Sequence, residues 1–144
     1  MANPLTLYIP IKQDPTSQAA AEEFAKNLIP NAKGRLDESN IVHYARLASI
    51  PNNPIGTGIL ALCLITSFDG PMNPYLRFFW NDGALQEVFK TLAKFALNPP
   101  NPPVTDLTSF EIFINSNNLN QPADLYNAYP QTVQQIRAKF PPQA

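Results

Sequence analysis

Histidine and cysteine each occur once in the 144 residues, as His43 and Cys63. A single cysteine excludes an intrachain disulfide. One histidine beside one cysteine leaves no set from which a structural zinc site is built. Charge is scarce as well: 15% of residues are Asp, Glu, Lys or Arg, and the net charge is -1. That balance argues against nucleic acid as a partner, because a nucleic-acid binder carries a basic face. It argues equally against a polybasic membrane-surface protein. Long apolar runs are missing. The longest, Ile59 to Ile65, has seven residues, against about 20 for a membrane-spanning helix. Met1-Ala2-Asn3-Pro4 puts no basic residue ahead of an apolar stretch, so no signal peptide is visible. No Asn-x-Ser/Thr acceptor occurs either. These absences together predict a soluble, cytoplasmic protein. Phosphate-binding glycine loops, His-Glu-x-x-His, Cys-x-x-Cys and Gly-x-Ser-x-Gly are also absent, so the chemistries those motifs announce have no support here.

The residues present predict one domain. A chain of this length buries roughly 70% of the surface its unfolded form exposes and needs no disulfide or metal to hold it. Leu5, Leu7, Ile9 and Ile11 alternate with more polar neighbours, the period of a half-buried strand. Asp14-Pro15 then offers an N-cap followed by proline at the first helical position. Ala21, Phe24, Ala25 and Leu28 recur at helical spacing, which predicts a helix over about 15–29, with Pro30 and Gly34 bracketing its exit. Ile41 to Ile50 and Ile59 to Phe68 read as two strands of a hairpin. The breaker-rich loop 51–58 joins them with a protruding tip. Asp69-Gly70-Pro71 is turn chemistry. A kinked helix, or a short and a long one, follows over 74–97. The proline-rich run 98–103 is a stiff surface connector.

Thr108 to Asn115, with Phe110, Ile112 and Ile114 alternating, reads as a fourth strand. Val133, Ile136 and Phe140 then predict a short helix in the tail. The order is strand, helix, strand, strand, helix, strand. It fits an α+β, ferredoxin-like βαββαβ fold with a four-stranded antiparallel sheet and helices on one face. The core spans about 4–115 and a helical tail 116–144. The second sheet face carries Tyr8, Phe113 and half of two strands that are apolar on both sides. Such a patch marks an interface. Either the tail or a second copy of the chain covers it, and the reading favours a homodimer.

Chemistry concentrates in His43-Tyr44-Ala45-Arg46. Strand alternation puts His43 and Arg46 on opposite sides unless a bulge intervenes. Polar side chains in an apolar strand are costly unless paired. Arg46 therefore reads as one half of an ion pair, or as an anion-binding group in a pocket. His43 reads as a satisfied core or interface histidine, or as an acid/base or haem ligand. Asp69 makes the turn, or pairs with Arg46 or His43 at a pocket mouth. His43, Arg46 and Asp69 are thus the candidate catalytic set, and His43, Tyr44 and Arg46 the candidate ligand-binding set. No metal site is expected, and no cofactor, with haem as the alternative. Cys63 and the aromatics Phe78, Phe79, Trp80, Phe89 and Phe95 read as core.

His43-Tyr44-Ala45-Arg46, the strand end Thr66-Ser67-Phe68-Asp69-Gly70 and the Tyr75-Leu76 helix start together resemble a known pattern. It belongs to a poorly characterised group with a His-Phe-Ala-Arg strand and a Ser-Asn-Tyr-Asp-Gly strand end. That group is similar to the dimeric α+β barrel superfamily, and some of its members carry peroxidase-like labels. The resemblance covers about residues 41–76. It departs at Tyr44, at Ser67-Phe68 and at Pro71-Met72. It implies a ferredoxin-like dimer. It does not extend to haem catalysis, which in the two-domain peroxidases of the superfamily uses a histidine of a second domain. Three functions follow as expectations. The first is a binding protein with an apolar cavity between sheet and helices, holding a hydrophobic or aromatic small molecule. The second is a monooxygenase- or peroxidase-like enzyme using His43, Arg46 and Asp69. The third is a structural interaction module.

Overall fold

A computed structural model describes residues 2–53, 57–121 and 123–141. The tip of the 51–58 loop falls at 54–56, outside the described residues. The elements run β1 (Ala2–Pro10), α1 (Pro15–Ser39), β2 (Val42–Pro51), β3 (Ile59–Asp69), α2 (Met72–Trp80), α3 (Gly83–Phe95), α4 (Leu107–Ser116) and α5 (Val133–Lys139). The fold is α+β, with a three-stranded antiparallel sheet in the order β1-β3-β2.

Antiparallel partners share a face. Leu7 opposes Leu64, and Leu47 opposes Leu64 from the other side. Leu5, Thr66 and Ala45 form the next row of that face. The helices pack on it, and the core joins Leu5, Leu7 and Ile9 to Phe24, Leu28, Tyr75, Phe79, Phe89, Phe110 and Ile114. Outward lie Thr6, Ile65 and Arg46, then Tyr8, Cys63 and Ala48.

Two expectations change. The first helix does not stop before Pro30 but continues to Ser39. Proline removes the N–H that would reach the Lys26 carbonyl, and its ring crowds that carbonyl outward. Pro30 and Lys26 are both exposed, so water reaches that carbonyl. The stripe Ala21, Phe24, Leu28 meanwhile continues to the buried Ala32, and that burial carries the helix onward.

The second change is larger: the expected fourth strand is helix α4. Asp106 and Ser109 form a reciprocal cap at its start, a local helix signal. Phe110, Phe113 and Ile114 are buried, at spacings of three and four, whereas Ile112 is 43% exposed. The segment thus follows the helical period rather than the alternation of Phe110, Ile112 and Ile114. Phe113 accordingly lies in the core and not on the second sheet face. Irregular chain takes the fourth strand's place on the β1 edge. Tyr8 N–H donates to the Asn117 carbonyl at 3.1 Å, and Leu119 N–H to the Thr6 carbonyl at 2.8 Å. The edge is covered in this way without a strand.

Between Trp80 and Gly83 the chain breaks as Asn81-Asp82-Gly83 predicts. Asp82 accepts the Leu85 N–H at 3.0 Å and caps α3. Among the described residues no helix is long and apolar enough to cross a membrane.

Candidate functional site

β2 is irregular where its polar residues lie. Val42 opposes Phe68 and Tyr44 opposes Ser67, so His43 is an extra residue in a bulge. A bulge re-aims side chains. His43 Nε2 meets Asp69 Oδ1 at 2.8 Å. Asp69 Oδ2 accepts the Val133 N–H at 2.7 Å. Facing a carboxylate, Nε2 carries the ring hydrogen, and Nδ1 makes no hydrogen bond among the described residues. Asp69 is buried and His43 is largely so. One carboxylate therefore ties together the β2 bulge, the end of β3 and the first turn of α5.

Arg46 does not join this group. It is exposed and has no ion pair or hydrogen bond among the described residues. Tyr44, on the same outer face, is 53% exposed. Cys63 is half-buried on that face, and burial raises its thiol pKa.

A cavity lies elsewhere, between the sheet and the helices. It measures about 50 Å³. Leu7, Leu64 and Ala45 line its floor, Ala32 and Leu36 one wall, and Phe89 and Phe110 the far side. Its polar element is a hydroxyl pair, with Tyr75 Oη donating to Thr66 Oγ1 at 3.0 Å. Both residues are buried. The Tyr75 ring is fixed by stacking on Phe68 at 4.0 Å and by an edge contact with Phe79 at 5.1 Å. Burial pushes the phenol pKa up to about 12, against the opposing pull of the Thr66 bond. Two hydroxyls with one bond between them leave one hydroxyl proton free to donate. Among the described residues it has no acceptor. His43, Tyr44, Arg46 and Asp69 line neither this cavity nor the surface groove between α1 and α3.

Sequence reasoning named Tyr75 and Thr66 but did not pair them. The available signal was Thr66, a hydroxyl in the middle of the most apolar strand, which calls for a partner once buried. Among the described residues no three His, Cys, Asp or Glu side chains are grouped to hold a metal ion. No family model, curated protein or solved structure matches the chain.

Proposed function

We propose that the protein binds a compact apolar molecule bearing one hydrogen-bond acceptor, such as a small ketone or ether, in the cavity between sheet and helices. The uncommitted hydroxyl proton of the Tyr75–Thr66 pair, set among apolar walls, carries this reading. A ligand site commonly has this form, apolar walls with a few polar groups that orient the guest. Volume limits the guest. A dry cavity of about 150 Å³ holds a benzene ring, and this one is about 50 Å³. Scaled from that ring's six atoms, it takes about two non-hydrogen atoms as the helices stand, so acetone, with four, enters only as they give way. At a ceiling of about 1.5 kcal/mol per atom, the dissociation constant is no tighter than tens of micromolar.

The test is a titration with acetone and with isobutane, followed by NMR. Acetone shifts Tyr75, Thr66 and Ala45 resonances, and the double variant Tyr75→Phe/Thr66→Val, which removes both hydroxyls, weakens acetone more than isobutane. Shifts scattered over the surface, or none, overturn the reading.

The outer sheet face supports a homodimer as a second part of the proposal. The described tail makes its hydrogen bonds along the β1 edge, at the end of β3 and to the end of α1, while Tyr44 and Arg46 stay exposed. Native mass spectrometry decides it. A dimer that Tyr44→Glu dissociates fits a second copy on that face, and a monomer removes it.

A further inference from the structure

We propose that the second half of α1, residues 31–39, is a hinged lid over this cavity, held down by Arg35 and by Arg137 of the tail helix. The inference rests on the cavity being a binding site, because a lid matters only if something passes beneath it.

The hinge is Pro30, inside the helix. The bond from residue 30 to the Lys26 carbonyl cannot form, and proline is where helices bend. Gly34, four residues on, lowers the helical preference of the second half further. The two halves are held to the body unequally. The first buries Ser17, Ala21, Phe24 and Leu28, whereas the second buries Ala32 and half-buries Leu36. Both Ala32 and Leu36 line the cavity. A segment with so little buried apolar surface opens at low free energy.

Polar pins replace the missing packing. Arg35 Nη2 donates to the Phe78 carbonyl at 3.1 Å, and its guanidinium lies 3.8 Å from the centre of the Phe78 ring. Its Nε stands 3.8 Å from Asp82, beyond hydrogen-bond distance. The other pin comes from α5. Arg137 Nη1 donates to the Asp37 carbonyl at 2.8 Å and to Asn40 Oδ1, at the end of the lid. α5 is itself fixed by the Val133–Asp69 bond. A continuous mechanical path therefore runs from β3 through Asp69 and α5 to the lid. A guest larger than the cavity as it stands enters when this path lets go.

Hydrogen exchange on the unliganded full chain tests the lid directly. Amides of residues 35–39 exchange at least tenfold faster than those of residues 21–28. Arg137→Ala, which removes hydrogen bonds from a partly exposed charged donor, speeds exchange at 35–39 by up to about another fivefold and leaves 21–28 unchanged. Pro30→Ala restores the missing donor and slows exchange at 35–39. Equal protection of the two halves overturns the lid, and so does an Arg137→Ala variant with unaltered exchange at 35–39. The titration with acetone is scored separately at Tyr75 and Thr66. Fast exchange at 35–39 without those shifts rejects the ligand and keeps the hinge. Shifts with uniform protection keep the ligand and reject the hinge.

Discussion

Removing the Asp69 carboxylate takes away two bonds at once, the one to His43 Nε2 and the one from the Val133 N–H. Bonds to a charged group contribute about 1.5–3 kcal/mol each, so their sum sets an upper bound near 6 kcal/mol. Relaxation lowers it. α5 has seven residues, too few to stand as a helix alone. It is held by the buried Val133 side chain, worth about 1.5 kcal/mol, and by the partly exposed Arg137 contacts, worth under about 1 kcal/mol. Once Asp69 is gone, undocking α5 rewets the Val133 N–H and limits the loss. Asp69→Ala therefore costs about 2–3 kcal/mol. At roughly 2.1 cal/mol/K per residue, that lowers Tm by about 8 °C. Amides of residues 133–139 lose protection before the rest of the chain. Asp69→Asn keeps an oxygen for Val133 and offers an N–H to the other tautomer of His43, so it costs under about 1 kcal/mol. Urea unfolding with hydrogen exchange reads both variants. Were Asp69→Ala within 0.5 kcal/mol of the parent, or Asp69→Asn equally damaging, the carboxylate would not be working as a paired acceptor, and the reasoning would fail.

Three further outcomes are expected. Phe110→Ala costs about 3–5 kcal/mol in urea unfolding and Ile112→Ala under about 0.5 kcal/mol; similar losses at both would restore strand alternation. Gly34→Ala adds about 1 kcal/mol and about 3 °C to Tm, because a Cβ there meets nothing within 4 Å and the backbone is helical; a lower Tm refutes this. Stability falls at both ends of the pH scale. The backbone N–H of Ser17 holds the Asp14 carboxyl below its ordinary value of 3.8, the N–H of Ser109 does the same for Asp106, and Lys33 does so for Asp37. Their contributions are present above about pH 3.8 and vanish as pH drops through the lowered folded values. For Tyr75 the folded state holds its proton from pH 10 to about 12 while the unfolded state releases it, so up to about 3 kcal/mol is lost across that window. Unfolding midpoints measured from pH 2 to 12 check both arms, and Tyr75→Phe removes the alkaline one.

The helix boundaries show which signals in this sequence were local. Asp14-Pro15 and Asn81-Asp82-Gly83 carry their structure within a few residues, because a cap is a bond between neighbours. The strands β1, β2 and β3 were legible from apolar period and β-branched content for the same reason. At 107–116 two local signals competed. Phe110, Ile112 and Ile114 suggested a strand, while Asp106 with Ser109 offered a reciprocal helix cap. The buried positions Phe110, Phe113 and Ile114 lie at helical spacing, so the cap and the helical stripe agreed with each other. The strand reading set Phe113 on the face opposite Phe110, Ile112 and Ile114, whereas the helix buries it with Phe110 and Ile114. The extension of α1 through Pro30 shows the reverse case. Here the breaker does not stop the helix, because the freed carbonyl meets water and an apolar stripe continues beyond it. Ala32 and Leu36 supplied that stripe.

The candidate site was legible in composition but not in geometry. His43, Arg46 and Asp69 stood out as polar groups among apolar neighbours, whereas the hydroxyls of Thr66 and Tyr75 did not. Which of them meet depends on register. Regular alternation sends His43 to the face opposite Arg46, and one inserted residue in β2 brings its ring to Asp69 instead. That insertion is a property of the β2–β3 pairing and leaves no mark within the His43-Tyr44-Ala45-Arg46 tetrapeptide. Tyr75 and Thr66, nine residues apart across the Gly70 turn, meet because Gly70 adopts a left-handed φ of 88°. A residue with a side chain takes that conformation only with strain. The turn folds α2 back onto β3 and lays Tyr75 flat on Phe68. The glycine that reads as simple turn chemistry is thus also what carries the phenol to the threonine, and the binding reading depends on it.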